Sequence, residues 1–483
     1  QLVWNRCVKA PNALLSPLLG VVALVRGKVT RSDVLALVSL LRGVFQLGRK
    51  QGVRGLAMYL KACSLYLMKY IAGTPLHDRT AYGPCVSLTH GGLPRLIPPV
   101  WRVQLSRGET VVARILLSIF GLYRVLGYKG VFSVKTITAP WTGRLPTDLI
   151  SFIPRFVRSF IRLSLKGLEW WPLPLLSKGA HSHNSTWGGL AKNLLFPKGG
   201  QGPSSQGQLI SALASIISHT CFESLKAVAS LLSFSWVTNS MTGLWITLGD
   251  LLFEGDNGEE PVSWLRAVGV HPVGRLAVKE EPGKMRVFAI VDAFTQWMLY
   301  PLHKALMSWL RTLPQDGTFD QRAAVESARR EIGTSYVSSF DLSAATDRLP
   351  AVVQAIILNC LLPTLGDHWL RLLTEREYQL PRESYSGRRS VKYSVGQPMG
   401  AYSSWAMLAV THHLIVQFAH WRAVGGGALT WFTSYRILGD DIIIWDKAVA
   451  EHYLIVMQQF GVAINLSKSL VSANGSFEFA KRF

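Results

Sequence analysis

Two neighbouring carboxylates in an apolar setting are the first residues whose chemistry needs explaining. Ser434–Asp446 reads SYRILGDDIIIWD, with the apolar runs Tyr435–Leu438 and Ile442–Trp445 flanking Gly439-Asp440-Asp441. This is a hairpin signal, because Gly permits positive φ and Asp tolerates turns. Asp440 and Asp441 then sit at the tip, between strands too apolar to be exposed. A surface turn with solvated acids would not need such β-branched flanks. Adjacent carboxylates repel each other. Setting them beside a third makes sense where divalent cations neutralise the cluster. A third is at hand in Val337–Pro350, VSSFDLSAATDRLP. Val337–Asp341 reads as a short strand with Asp341 at its C-terminal end. Ser343–Asp347 turns, and Pro350 suits a helix start.

Cations and small residues accompany these acids. Gly274–Asp292, GRLAVKEEPGKMRVFAIVD, predicts a hairpin with Lys279, Lys284 and Arg286 around the Pro282-Gly283 tip. Three cations there can hold a triphosphate, although a salt-bridged hairpin would look the same in sequence. Val395–Ser404, VGQPMGAYSS, predicts a tight loop opening a helix over Trp405–Val424, and helix N-termini suit phosphates and sugars. His412 and His413 read as core or groove residues, since no Cys/His partner stands at ligand spacing. Downstream, Tyr453, Val456, Met457 and Phe460 form a helical stripe that Gly461 ends. Val462–Val471 carries one cation, Lys468, and the chain finishes on SFEFAKRF.

The elements holding these residues belong to a chain of 483 residues, 49% hydrophobic and 17% charged, which excludes a disordered protein. Five Cys (Cys7, Cys63, Cys85, Cys221, Cys360) form no CxxC pair, which argues against a disulfide scaffold or zinc ribbon. Charge is unevenly placed. Residues 1–200 hold 27 Lys/Arg against 5 Asp/Glu, whereas residues 201–483 hold 24 of each. The whole net charge of +22 therefore lies in the first two fifths. Phosphate-rich partners are the natural reading, with an anionic membrane surface as the alternative.

Helical spacing marks residues 31–72, Arg114–Leu126 and Leu149–Leu168. Arg155, Arg158 and Arg162 share one face of the last, either tracking a phosphate backbone or merely solvated. Residues 171–207, rich in Pro, Gly and Ser, read as a domain boundary. Residues 208–252 look helical and buried, and Glu254–Pro261 is an acidic turn. Ala227–Gly249 and the span between Lys392 and Arg422 lack charge. Both carry too many hydroxyl, amide or His groups for lipid-facing helices, so no stable membrane insertion is expected.

Taken in order, KEEPGKMRVFAIVDAFTQ, FDLSAATD, GQPMGAYSSWAMLAVTHH, LGDD, NLSKS and FEFAKRF resemble the RNA-dependent RNA polymerases of mitoviruses, narnavirus-like elements of mitochondria. The match runs over about residues 270–483. It implies an α+β right-hand polymerase of fingers, palm and thumb, the palm built of antiparallel strands backed by helices. It divides the chain into a basic, mainly helical N-terminal and fingers region (1–200), fingers with the start of the palm (201–334), and palm (335–483). The chain stops just after the primer-grip motif, so most of the thumb is expected to be absent, as in a fragment or an endogenised copy.

The resemblance also implies roles. Asp341, Asp440 and Asp441 are similar to the metal-binding aspartates, which hold two Mg²⁺ ions, with Mn²⁺ as a substitute. Asp347 and Ser403 resemble residues near the incoming ribose. Here Asp347 follows Asp341 at the longer spacing of phage and narnavirus-like relatives. Gly396, Gln397 and Gly400 resemble the template-contacting loop. Lys279, Lys284 and Arg286 resemble the basic motif that grips the triphosphate. Lys468 resembles the lysine proposed to protonate pyrophosphate, and Phe477–Arg482 the primer grip. The implied partners are RNA template, RNA product and NTPs, and the implied location is the mitochondrion. Oligomeric state is not implied. Two other readings stay open: a reverse transcriptase, disfavoured by Gly439 and the Asp347/Ser403 pairing, and an inactive relic that retains RNA binding.

Overall fold

The structure is a computed structural model, described over residues 12–165, 167–170, 213, 215–253, 273–281, 284–381 and 389–483. Helix α1 (Arg31–Ile71) starts at a capping box. The Thr30 hydroxyl accepts the Asp33 N–H, and the Asp33 carboxylate accepts the Thr30 N–H. At Gly52 the backbone leaves helical space (φ 70°, ψ −179°), so α1 is two helical segments joined at a kink. Helix α2 (Thr110–Phe120) packs against it. Leu37, Leu40, Leu60, Trp101 and Ile115 close a core that belongs to this N-terminal part alone.

A second, larger core covers the rest. Strands β1 (Gly274–Glu281) and β2 (Lys284–Val291) pair antiparallel along their whole length, from Gly274↔Val291 to Glu281↔Lys284. Helices α3 (Ala293–Arg311) and α4 (Gln321–Ile332) lead to β3 (Val337–Phe340), after which α5 (Ala351–Leu361) begins behind Pro350. The short β4 (Tyr378–Gln379) and β5 (Ser390–Val391) extend the first sheet, in order β2-β1-β4-β5 with β4 parallel to β1. Helix α6 (Ser404–Ala423) is buried almost all round, which explains its lack of a polar face. Strands β6 (Tyr435–Leu438) and β7 (Asp441–Ile444), helix α7 (Lys447–Gln459) and strand β8 (Leu470–Ser472) follow. The second sheet runs β6-β7-β3-β8 and is antiparallel throughout. Helix α7 backs it, with the Tyr453 ring stacked on Phe340 at 5.6 Å. The architecture is therefore mixed α+β.

The break in charge at residue 200 is not a break in contacts. Met68 and Ala72 of the N-terminal part bury Leu470 of β8. The Tyr82 hydroxyl donates to the Ser467 carbonyl at 2.9 Å, and Asn474 Nδ2 donates to the Ile71 carbonyl at 2.8 Å.

Some sequence expectations shift. The helix expected over Leu149–Leu168 ends at Phe160, and its Arg155 turns inward to the Gly427 carbonyl at 2.6 Å, so it is not part of a free cationic face. The uncharged Ala227–Gly249 is split between the helices Cys221–Leu231 and Ser235–Phe253. No helix among the described residues is long and apolar enough to cross a membrane. The boundary placed at 171–207, the acidic turn Glu254–Pro261 and the Pro282-Gly283 tip lie outside the described residues.

Candidate active site

The antiparallel sheet brings the three aspartates to one edge. β3 ends at Phe340, so Asp341 emerges from the strand's C-terminal end. Its N–H donates to Ser469 Oγ at 3.1 Å, and its carbonyl accepts the Asn465 N–H at 2.9 Å. β6 and β7 meet in a two-residue turn, because Leu438 pairs with Asp441. Gly439 takes the first turn position at φ 63°, where a side chain would be strained, and Asp440 takes the second. Pairing Phe340 with Ile442 sets this turn beside Asp341.

Asp341, Asp440 and Asp441 all line one open cavity of about 1390 Å³. Burial pushes the Asp441 carboxyl up to about 6, helped by the charges of Asp440 and Asp341, while Lys481 and the Ala480 N–H pull the other way. Glu478, absent from the sequence-based site, lines the same cavity. Burial raises its carboxyl too, with Asp441 the next cause. Its N–H is anchored on Ser339 Oγ at 3.0 Å. Lys468 faces the acids from the loop before β8, with Nζ 3.6 Å from Asp341 Oδ2.

Lys284 and Arg286 line the cavity from β2, while Lys279 is exposed on β1 and does not reach it. Arg286 is shared with Glu281, whose carboxylate it holds at 2.9 Å and keeps below its usual range. Asp347 lines the cavity with its carboxylate already accepting a 2.7 Å bond from Thr136 Oγ1. Arg348 next to it donates to the Ala139 and Pro140 carbonyls, so residues 136–140 clamp this turn.

The loop before α6 differs from the sequence expectation. Ser403 is fully buried, and its hydroxyl accepts the Trp369 indole N–H at 2.8 Å. It does not face the cavity; Ser404 does. Gln397 is also buried and donates to Gln354 Oε1 and the Ser404 carbonyl, tying the loop together from behind. Gly396 lies so close to the 346–347 backbone that an added Cβ would sit 2.1 Å from the Thr346 carbonyl oxygen. Gly400 alone of the three template-loop residues lines the cavity. The His412 and His413 rings are buried in hydrogen bonds to Gly439, Tyr453, Tyr435 and Asp316, as core residues.

Sequence reasoning missed Lys61 and Thr136, and gave Glu478 no role of its own within Phe477–Arg482. Lys61 and Thr136 lie more than 200 residues before the acids they approach, and no local pattern announces them. Glu478 lies within the stretch that resembles the primer grip, where the alternation of aromatic and charged residues does not single it out.

Chemically, hard carboxylate oxygens and cationic side chains line one solvent-open space. That arrangement suits a polyanionic substrate handled with divalent cations.

Comparison with known proteins agrees. Residues 191–483 match the family model described as mitovirus RNA-dependent RNA polymerase. The RNA-directed RNA polymerase of Cryphonectria parasitica mitovirus 1 is 41% identical over 225 residues, which are 46% of this chain and 26% of that protein. The matched part thus spans about a quarter of that relative's length. An uncharacterized mitochondrial protein of Arabidopsis thaliana is 41% identical over 182 residues, 37% of this chain and 70% of that one. A second from the same plant is 34% identical over 167 residues, 33% of this chain and 78% of that one. Among solved structures, an apo telomerase from Candida tropicalis aligns at a TM-score of 0.31 and 13% identity, over 41% of this chain and 49% of that one, too low to assign a fold. With the family model covering well over half of its length, the chain belongs to the mitovirus RNA-dependent RNA polymerase family.

Proposed function

We propose that this protein is a nucleotidyltransferase that copies an RNA template from NTPs, as part of viral-type RNA replication in mitochondria. The observation that carries the reading is the convergence of Asp341, Asp440 and Asp441 on the cavity that Lys284, Arg286 and Lys468 also line. In this reading the antiparallel sheet is the palm, and the β1–β2 hairpin belongs to the fingers.

The donor set fits Mg²⁺. Among the described residues no three acidic, His or Cys side chains form a ready-made cage. Yet the aspartates offer only hard oxygens, and burial together with the charges of Asp440 and Asp341 raises the Asp441 carboxyl, a repulsion that a divalent cation would relieve. Asp341, Asp440 and Asp441 would hold two such ions. When bound they supply Lewis acidity for an attacking hydroxyl and charge neutralisation for a leaving phosphate.

The reaction joins the RNA 3′-oxygen to the α-phosphorus of the NTP and breaks the bond to the β-phosphate, releasing pyrophosphate. Lys284 and Arg286 bind the triphosphate and spread its charge. Lys468, held beside Asp341, is placed to give a proton to the departing pyrophosphate. Asp347, steadied by Thr136, faces the ribose. Gly400 and Ser404, rather than Ser403, present the α6 end of the cavity to the nucleic acid.

Mg²⁺-dependent incorporation of labelled NTPs on an RNA template tests this. The full chain should incorporate NTPs over dNTPs. Asp440→Asn should lose incorporation by at least a hundredfold while still retaining RNA in a filter-binding assay. Equal incorporation by Asp440→Asn and the parent chain would overturn the reading.

A further inference from the structure

Behind Lys468 lies a second, smaller cavity of about 400 Å³. One wall is the segment of α1 that follows the kink at Gly52. There Arg54, Met58, Lys61 and Leu65 fall at helical spacing and share one face. The opposite wall is the loop carrying Ser467 and Lys468, and Tyr82 and Tyr128 line the rest. The loop is firmly placed. Asn465 binds the Asp341 carbonyl from one side, and Tyr82 binds the Ser467 carbonyl from the other.

Three features give this cavity a ligand class. First, it is lined by Arg54, Lys61 and Lys468 and by no acidic residue. Second, among the described residues neither Arg54 nor Lys61 has an ion-pair partner, so their charge is not consumed within the fold. Third, Lys61, Leu65 and Lys468 line both cavities, so the two spaces share a wall at the site of chemistry. Burial and the neighbouring charges of Lys468 and Lys284 lower the Lys61 pKa, although Asp341 and Glu478 act on it in the opposite sense from the main cavity. The volume suits a small phosphoanhydride and is far below that of the main cavity.

Resting on the polymerase reading, we propose that this second cavity is a polyphosphate site that receives the pyrophosphate product, with Lys61 and Arg54 of α1 taking it from Lys468. The N-terminal part would then serve the reaction directly, through a helix outside the 191–483 family match.

Calorimetric titration of the full chain with inorganic pyrophosphate, in metal-free buffer, tests the site without reference to catalysis. Pyrophosphate should bind, AMP should bind far more weakly, and Lys61→Ala should weaken pyrophosphate binding by about tenfold, the loss expected of one charge-assisted contact. Lys61→Arg should restore most of it. The thermal midpoint of Lys61→Ala should stay close to that of the parent, because Lys61 makes no ion pair among the described residues. Absence of pyrophosphate binding, or equal binding by Lys61→Ala, overturns the proposal.

A second arm separates product from substrate. During NTP incorporation, the pyrophosphate inhibition constant of Lys61→Ala should rise more than its KM for NTP. A rise in KM with unchanged pyrophosphate inhibition would assign the cavity to the incoming triphosphate and overturn the product role. Should the parent chain incorporate no NTP, the polymerase reading fails on its own, and calorimetry still decides whether the anion site exists.

Discussion

His412 Nδ1 stands 2.8 Å from the carbonyl oxygen of Gly439, the residue that turns the β6–β7 hairpin into Asp440. A carbonyl only accepts, so Nδ1 carries the proton, and Nε2 accepts from the Tyr453 hydroxyl at 2.7 Å. The turn is thus held from beneath by α6 and α7 together. His412→Leu removes the ring and leaves a buried carbonyl and a buried hydroxyl unpaired, each costing about 1–3 kcal/mol. A clear drop in the urea midpoint is expected, with a larger fall in NTP incorporation than Tyr453→Phe causes, since that variant leaves the Gly439 bond in place. Equal effects of the two variants would show that the turn does not depend on His412.

The same ring sets a pH dependence. Burial lowers the His412 pKa to about 4, and His303 is lowered to about 4 for the same reason. The folded state then binds fewer protons than the unfolded chain between pH 4 and about 6.5. The contribution of these two rings to stability is expected to fall as pH drops through that window and to level off below it. Urea midpoints measured from pH 7 to pH 4 check the slope, and His303→Phe should reduce it. An unchanged slope in His303→Phe would contradict neutral burial of that ring.

Gly439→Ala should hurt for two separable reasons. The residue sits at φ 63°, which costs an L side chain about 1–2 kcal/mol. An added Cβ would also lie 2.3 Å from the Trp405 ring. Trp405→Leu in the same chain relieves the second cost and not the first. The double variant is therefore expected to recover part of the stability lost by Gly439→Ala, with a residual deficit near the backbone cost. Purely additive losses would mean the ring yields without resistance.

The hairpin, the strand end at Asp341 and the helix after the Val395–Ser404 loop were legible because each is written in a short window. Apolar runs around Gly439-Asp440 specify pairing and turn at once. What the sequence did not reveal depends on contacts across the chain. Ser403 and Ser404 look equivalent as letters, and only the packing of Trp369 decides which one is buried. Thr136 reaches Asp347 within the larger core, and Lys61 reaches the Lys468 loop where the N-terminal part docks on it; no periodicity encodes either contact. Uneven charge marked residues 1–200 as a phosphate-handling region, and the described structure adds that this region walls the candidate site.

Asp441 gives the metal assignment a thermodynamic handle. Its folded pKa, about 6, lies above the ordinary carboxylate value, so folding favours its protonated form. The Asp441 contribution to stability therefore declines as pH rises from about 4 through 6, opposite in sign to that of His412 and His303, and is read as the difference between the parent chain and Asp441→Asn. Asp441→Asn is expected to be more stable than the parent at pH 7, by on the order of 1–3 kcal/mol, while losing incorporation. Mg²⁺ binds the ionised form, so its stabilising effect should grow as pH rises past 6 and should shrink in the variant. Thermal unfolding with and without Mg²⁺ at pH 5, 6 and 7 reads this out. An identical Mg²⁺ shift in the parent and Asp441→Asn would remove Asp441 from the metal set.

Arg376 fixes the first sheet to its helix and permits a test independent of catalysis. Its side chain is fully buried and donates to the Leu372 and Val273 carbonyls, to Asp292 Oδ2 at 2.7 Å and to Thr295 Oγ1 at 2.8 Å. Asp292 also caps α3 by accepting the Thr295 N–H. Arg376→Met strands a buried carboxylate and should cost about 3–5 kcal/mol. Asp292→Asn keeps a capping oxygen but removes the charge. Combining the two should recover at least about 1 kcal/mol of the Arg376→Met loss, because the stranded charge is gone. If the double variant is no more stable than Arg376→Met, the cost lies in the lost carbonyl bonds and not in the ion pair.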